Sequence, residues 1–520
     1  MPMARAARQG QAMAWQKLLQ KLLQKPLLLA LLLWPWLNPF APGPSPQVLP
    51  LLTAWVCLAG LLLGWQRLTP KAIAAGWLLA GLISTLIALC QNLGIADLFA
   101  PWMTQADPGN VYANLRQRNQ FASLTSIALM ALFWFVVQAQ NPAVGQTGEH
   151  AAAYSQNKQF WAVAAAAVFL GVGNALSSSR TGLVQLVFLT ALLFLWPQWR
   201  LTQMGKMIGI VWVAYAFGSF VLPVLPGSSM MGQGIFSRFA TESLACASRR
   251  ILWANVLDLI GQKPWFGWGW GELDYAHFVT LFSGPRFCEI ADNAHNLPLQ
   301  LAVELGVPLA LLLCGTLVVW LVYHKPWKEA KPSRQLAWGV LMVIGLHSLL
   351  EYPLWYGPFQ MAVVLCGWLL WHGQNAAADS ARPGAMTSAS LARAAAAMLA
   401  LMAIGFAMVD YHRVSQIYLP VQERSPGLRH DTLRKIADAP IFQGQVQFAE
   451  LTLTPLTAAN AAHLNALAHQ VLHFSPEARV AVKLIESATL LGKQDEAAFY
   501  TARFKAAFPE AYQKWQTAQQ

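Results

Sequence analysis

The residues of this chain best suited to chemistry are histidines and arginines set beside long apolar runs. His295 stands in ADNAHNLPLQLAVELG (291–306), with Asp292, Asn293 and Asn296 around it. His347 opens HSLLEYPLWY (347–356), which also carries Glu351 and Tyr352. Arg180 follows three serines in NALSSSRTGLVQL (174–186), and Arg249 and Arg250 are adjacent. NLRQRNQFA (114–122) adds Arg116, Arg118, Asn119 and Gln120. An imidazole titrates near neutrality, so it can take the proton of a hydroxyl, which is a weak nucleophile alone. A guanidinium stays charged and grips phosphate with a planar fork. Arg180 lies where one helix ends and another begins, and a helix N-terminus with a Ser or Thr cap suits an anion. The pattern is that of a base beside an anion site.

Each residue also has a plainer reading. A histidine before a helix can serve as its cap. His347 and Glu351, four apart, can pair along one helix face. Loop arginines are ordinarily solvated or paired, and Asp97, Asp107, Glu242, Asp274, Glu289 and Asp292 are at hand.

These residues need a scaffold, and composition says which kind. Of 520 residues, 56% are hydrophobic and only 11% charged, and there are 23 tryptophans. Soluble domains carry about twice that charged fraction, and tryptophan gathers at membrane interfaces. The formal charge of +12 is explained by basic residues flanking membrane spans and does not point to nucleic acid. Apolar stretches lie near 26–41, 48–66, 72–92, 119–138, 159–177, 181–197, 205–225, 297–323, 335–350, 354–373 and 392–410. The expected fold is all-α: a polytopic transmembrane helical bundle of about 11 spans, with a periplasmic loop domain and a C-terminal periplasmic helical domain.

Orientation follows from the basic residues. Lys17, Lys21 and Lys25, then Arg67 and Lys71, Lys158, Arg200 and Lys206, and HKPWKEAKPSR (324–334) alternate along the chain, which puts them in the cytoplasm. The chain divides into a basic N-terminus 1–25, spans over 26–225, a large outer loop 226–296, spans over 297–410 and an outer helical tail 411–520. The basic start and first apolar run resemble a signal peptide, but no clean cleavage site follows, so this run is expected to be retained. The histidines, Tyr352, Gln120 and seven arginines (116, 118, 180, 238, 249, 250, 286) then all fall on the outer side, where positive charge is normally sparse.

Cys246 and Cys288 share the outer loop, where an oxidising compartment permits a disulfide. No metal-ligand spacing, CxxC or phosphate-cradling glycine loop occurs, so no cofactor, metal or cytoplasmic nucleotide is expected.

SSSRTGL (177–183), PWFGWGWG (264–271), NAHNLPLQLAVELG (293–306) and HSLLEYPLWY (347–356) occur in that order. Together they resemble the O-antigen ligase superfamily of bacterial membrane glycosyltransferases. The last element and the helical tail are similar to one branch, the O-linked oligosaccharyltransferases or pilin glycosylation ligases. The resemblance covers about 110–373, and the tail less fully. It implies transfer of an oligosaccharide from undecaprenyl pyrophosphate, at the outer face of the inner membrane, to a Ser or Thr hydroxyl of a periplasmic protein such as a pilin, with no metal. Lipopolysaccharide ligases of the superfamily tend to carry a small or aromatic residue three positions past the glycine of the His motif. Here Gly306 is followed by Val307, Pro308 and Leu309, which favours a protein acceptor. By motif position His295 is the expected base, and Arg180 with one of Arg249 and Arg250 holds the pyrophosphate. Gln120, Arg116, Tyr352 and His347 are the expected substrate-binding residues. Trp265, Trp268 and Trp270 are expected to stack on sugar or to seat the loop at the headgroups. The competing functions are a lipopolysaccharide O-antigen ligase, an O-antigen polymerase and, from another class, a flippase for the lipid-linked glycan. A flippase would need internal symmetry and ionisable residues at span centres, and neither is found.

Overall fold

The structure is a computed structural model that describes residues 26–65, 68–107, 109–139, 149–196, 199, 202–224, 246, 248–375 and 388–519. The basic N-terminus 1–25 and the loop stretch that includes Arg238 lie outside the described residues. No strand occurs among those described. Apolar runs make α1 (Pro26–Leu37), α2 (Val48–Leu63), α3 (Pro70–Asn92), α4 (Arg118–Ala139), α5 (Glu149–Leu176), α6 (Arg180–Leu195) and α7 (Thr202–Val221). The outer loop forms α8 (Arg249–Gln262) and α9 (Leu273–Val279). There follow α10 (Leu297–Leu305), α11 (Val307–His324), α12 (Pro332–Ser348), α13 (Gly357–Asn375) and α14 (Ser388–Ser415). The tail contributes α15 (Thr432–Ile436), α16 (Gln443–Leu453), α17 (Ala461–Phe474), α18 (Ala478–Leu490), α19 (Gln494–Ala507) and α20 (Pro509–Gln519).

All eleven apolar stretches fall on helices. Six helices are long and apolar enough to cross a membrane: α3, α4, α5, α7, α11 and α14. Three more, α1, α2 and α6, are shorter and apolar, while α12 and α13 have 17 and 19 residues. The bundle is organised about α4, whose apolar window is 89% buried, against 6% for α11 and 11% for α14. A helix apolar all round and exposed all round is at home only in hydrocarbon.

The two ends of the bundle carry different sets of contacts. At one end Trp196 donates to the Pro326 carbonyl (2.9 Å), Trp199 donates to Gln335 (2.6 Å), and Trp65 packs edge-on against Trp368. At the other, Asn114 donates to the Leu37 carbonyl (2.8 Å) and the Tyr411 hydroxyl to that of Ser45 (2.9 Å). The outer loop and the tail lie together at this second end. Phe278 of α9 enters the tail's own apolar core beside Leu464, Leu484 and Phe504. Arg503 donates to the Val279 carbonyl (2.8 Å). Cys246 and Cys288 are joined in a disulfide.

The expected single span over 297–323 is broken. Gly306 sits at φ 87° between α10 and α11, a left-handed conformation that only glycine adopts without strain. A Cβ there would stand 2.2 Å from the Trp265 carbonyl oxygen, and one on Gly267 2.3 Å from that of Glu304. PWFGWGWG grips the break from outside: Trp268 N donates to Val303 O (2.8 Å), Gly269 N to Glu304 O (3.0 Å), and Val307 N to Pro264 O (2.8 Å). The glycines allow two backbones to approach, and Pro308 has no N–H to continue the helix. Thus α10 is a short separate helix, and α11 alone is long and apolar enough to cross a membrane.

A reporter active only outside the cytoplasm tests this arrangement. Fusions at 290 and 450 are expected to be active, and fusions at 69 and 330 inactive. Opposite results for 290 and 450 would contradict the packing of tail on loop.

Candidate active site

The site is assembled from five chain segments at the outer end. Ser179 caps α6 by accepting from Gly182 N (3.1 Å), so Arg180 occupies the first helical position. Gly182 is small of necessity, because a Cβ would meet Asn174 Oδ1 at 2.7 Å and the Ala122 methyl at 2.8 Å. Ser248 caps α8 and presents Arg249 in the same way. Asn296 caps α10 through Leu299 N (3.1 Å), and its amide donates to the Leu349 carbonyl (3.0 Å). This bond ties the His295 loop to the turn after α12.

His295 itself has φ 51°, an uncommon conformation for a residue with a Cβ and a frequent one at functional sites. It is held there by its own N–H on Asn293 Oδ1 (2.8 Å) and by Trp253, which donates to the Ala294 carbonyl (3.0 Å). His295 Nδ1 lies 3.0 Å from the Asn293 carbonyl. A carbonyl only accepts, so Nδ1 carries the hydrogen and Nε2 is left as the acceptor in the neutral ring. Asn293 thus orients the imidazole, while Asp292 is exposed.

Everything converges on Glu351, which is 6% exposed. Oε1 accepts from Asn119 Nδ2 (2.8 Å) and pairs with Arg249. Oε2 faces His295 Nε2 at 3.5 Å. Asn119 in turn accepts from Ser179 Oγ (2.6 Å), so the cap of α6 and the carboxylate share one amide. Arg249 is close enough for its charge to bear on Arg180 and on His347. The expected pairing of His347 with Glu351 along one helix does not form. The helix α12 stops at Ser348, Glu351 N closes a turn onto the His347 carbonyl (2.8 Å), and the carboxylate swings away. His347 is buried and meets Ser123 Oγ through Nδ1 (2.9 Å), and Ser123 also accepts from Gln185 (2.8 Å). Its Nε2 has no protein partner.

A narrow, partly open cleft lies beside this cluster, lined by Gln117, Gln120, His347, Glu351, Tyr352 and Tyr356. Tyr352 packs edge-on against the His295 ring, centroids 5.0 Å apart. Burial above all, with Tyr356, Asp292 and Glu351 nearby, raises its hydroxyl above the ordinary value, so it stays a hydrogen-bond donor.

The structure sorts the outer arginines. Arg249 turns to Glu351, whereas Arg250 is exposed. Arg116 meets the Pro39 carbonyl, Arg118 meets Asn110, and Arg286 donates to Thr280 O (2.9 Å) and His277 O (2.7 Å). These three fasten loops, so Arg116 is not brought into the cluster. Trp268 donates to the Leu259 carbonyl (3.0 Å), and Trp270 stacks on Trp355. The residues that sequence reasoning missed are Asn119 and Glu351. Both lay in segments already singled out, but their partners come from other segments, Ser179 at 60 positions from Asn119 and Arg249 at 102 from Glu351.

Comparison with known proteins finds three family matches along the chain. The family described as O-Antigen ligase matches residues 165–314, which hold Arg180, Arg249 and His295. Protein glycosylation ligase matches 111–135, with Asn119 and Gln120, and Virulence factor membrane-bound polymerase, C-terminal, matches 335–520, with His347, Glu351 and Tyr352. The chain is similar to the O-antigen ligase superfamily, and most of all to its pilin glycosylation branch. Within it, a General O-oligosaccharyltransferase of Acinetobacter baylyi is 26% identical over 293 residues, 54% of this chain and 47% of that one. A ComP-specific O-oligosaccharyltransferase of the same organism is 26% identical over 308 residues, 59% of this chain and 52% of that one. The chain therefore spans about half the length of these curated relatives. No solved structure matches it. The three family matches fall on separate stretches of sequence, and the residues they cover meet around one carboxylate.

The sorting of the arginine pair has a direct check. With inorganic pyrophosphate as the probe, Arg249→Ala is expected to weaken binding to the full-length solubilised protein by roughly 10–100-fold, the value of one charge-assisted contact. Arg250→Ala is expected to change it less than about twofold. Equal losses would contradict the assignment.

Proposed function

We propose that this chain is a glycosyltransferase of the bacterial inner membrane, working at the periplasmic ends of about 11 spans. In this reading it moves an oligosaccharide from undecaprenyl pyrophosphate to a Ser or Thr hydroxyl of a periplasmic protein such as a pilin. The observation that carries the reading is the convergence of a base and an anion-holding arginine on Glu351, with a second arginine, Arg180, at a helix N-terminus beside them.

The chemistry is a single displacement. The acceptor hydroxyl gives its proton to His295 Nε2 as its oxygen attacks the anomeric carbon. The bond from that carbon to the phosphate oxygen breaks, and its electron pair leaves with undecaprenyl pyrophosphate. Arg180 and Arg249 meet the charge that develops on the pyrophosphate. Glu351 faces Nε2 and stabilises the imidazolium once the proton has arrived. Direct attack inverts the anomeric carbon. Gln120, Tyr352 and His347, which line the pocket, are suited to hold sugar hydroxyls, and the apolar faces of the bundle to meet lipid. The names of the two relatives support a protein acceptor. The descriptions O-Antigen ligase and membrane-bound polymerase favour the second reading, in which the acceptor is a lipopolysaccharide core sugar or a growing glycan.

The test is glycan transfer from an undecaprenyl-pyrophosphate oligosaccharide, scored by the mass of pilin and, in parallel, of lipopolysaccharide. His295→Ala is expected to lower transfer by about 10²–10⁴, the usual worth of a general base, while donor retention survives. His347→Ala is expected to lose less. A His295→Ala protein that transfers well beside a folded but inactive His347→Ala protein would move the base to His347. Product on lipopolysaccharide alone would favour the second reading.

A further inference from the structure

The cluster holds one ion pair that the proposed reaction has to break. In the donor-free site Arg249 lies against Glu351, yet the reaction needs Arg249 on the pyrophosphate. Glu351 is also the group that faces the base. One carboxylate therefore serves both the arginine and the base, and what it gives to one it withholds from the other.

The geometry points to an exchange in which Glu351 stands in for the donor's anion. It holds Arg249 until the pyrophosphate arrives, gives up the arginine to it, and is then left facing His295. This inference rests on the reading of Arg180 and Arg249 as the pyrophosphate site. The other groups around Glu351 do not compete for either role. Asn119, from α4, donates one hydrogen bond to Oε1 and is itself fixed by Ser179. Tyr352 and Tyr356 lie beside it as neutral hydroxyls, and Asp292 is the nearest further carboxylate acting on Tyr352. On the cationic side, Arg180 and His347 feel Arg249. Moving Arg249 to a diphosphate keeps it paired and leaves Glu351 with Asn119 and His295. A buried carboxylate with one amide donor favours a proton on the imidazole it faces. The base then becomes strong only when a donor is bound, and an empty site keeps its charges matched.

Glu351 is thus a positioning residue that acts through Arg249 and His295, with two effects of opposite sign. The experiment measures binding of undecaprenyl pyrophosphate, without glycan, to the full-length protein in nanodiscs, for wild type, Arg180→Ala, Glu351→Gln, and Arg249→Ala with and without Glu351→Gln. Glutamine keeps the shape and can still accept from Asn119, and thermal melting checks that each variant is folded. Glu351→Gln is expected to bind about tenfold tighter than wild type, since no carboxylate competes for Arg249. That gain is expected to vanish when Arg249 is alanine, and transfer by Glu351→Gln is expected to be slower despite the tighter binding. Binding by Glu351→Gln that is unchanged or weaker, while Arg180→Ala still weakens it, overturns the exchange and leaves the proposed site standing. Binding that Arg180→Ala does not change overturns the site itself.

Discussion

A single buried carboxylate organises the outer end of this molecule. An ionised carboxyl group removed from water costs several kcal/mol unless it is paired and hydrogen-bonded, and Glu351 is nearly inaccessible. Its requirements are met by Asn119 from the start of α4, Arg249 from the start of α8 and His295 from the loop before α10. Removing any one of these leaves charge uncompensated in a low-dielectric place. The same residue that stabilises the assembly therefore fixes the distance between His295 and Arg249, the proposed base and the proposed pyrophosphate ligand.

The rest of the scaffold can be understood as what keeps those partners in reach. The serine cap that seats Arg180 also donates to the side-chain oxygen of Asn119. The glycine-to-glycine contact at Gly267 and Gly306 ends α10 early. The 293–296 loop is thereby hung between α8, through Trp253, and the turn after α12, through Asn296. Below this layer α11 and α14 face outward with little protein around them, as lipid-facing helices do. At the same end the tail packs on α9 through Phe278.

Much of this was legible in the sequence, and the reason is local. Span positions follow from runs of apolar residues, which need no knowledge of neighbours. The serine–arginine junction, the histidine ahead of a proline-started helix and the helical tail are likewise written within a dozen residues each. What was not legible depends on contacts between distant segments. Glu351 reads as a partner of His347 because four residues separate them, and only the end of α12 at Ser348 sends it elsewhere. Arg249 and Arg250 are indistinguishable until the register of α8 turns one inward. The stretch 297–323 reads as one span because hydropathy cannot register that Trp265 and Glu304 bring two backbones together at Gly306. Arg116 looks like a ligand by charge and depth, yet it fastens a loop to Pro39.

The central claim is that a pyrophosphate is held between Arg180 and Arg249, within reach of His295. It is tested most directly by a structure of the full-length protein in lipid with an undecaprenyl-pyrophosphate-linked sugar bound. The account predicts diphosphate density touching both guanidinium groups, the anomeric carbon turned toward His295 Nε2, and Arg249 drawn off Glu351. Diphosphate bound elsewhere on the outer surface, with the pair of Arg249 and Glu351 intact and His295 remote from the sugar, would contradict it.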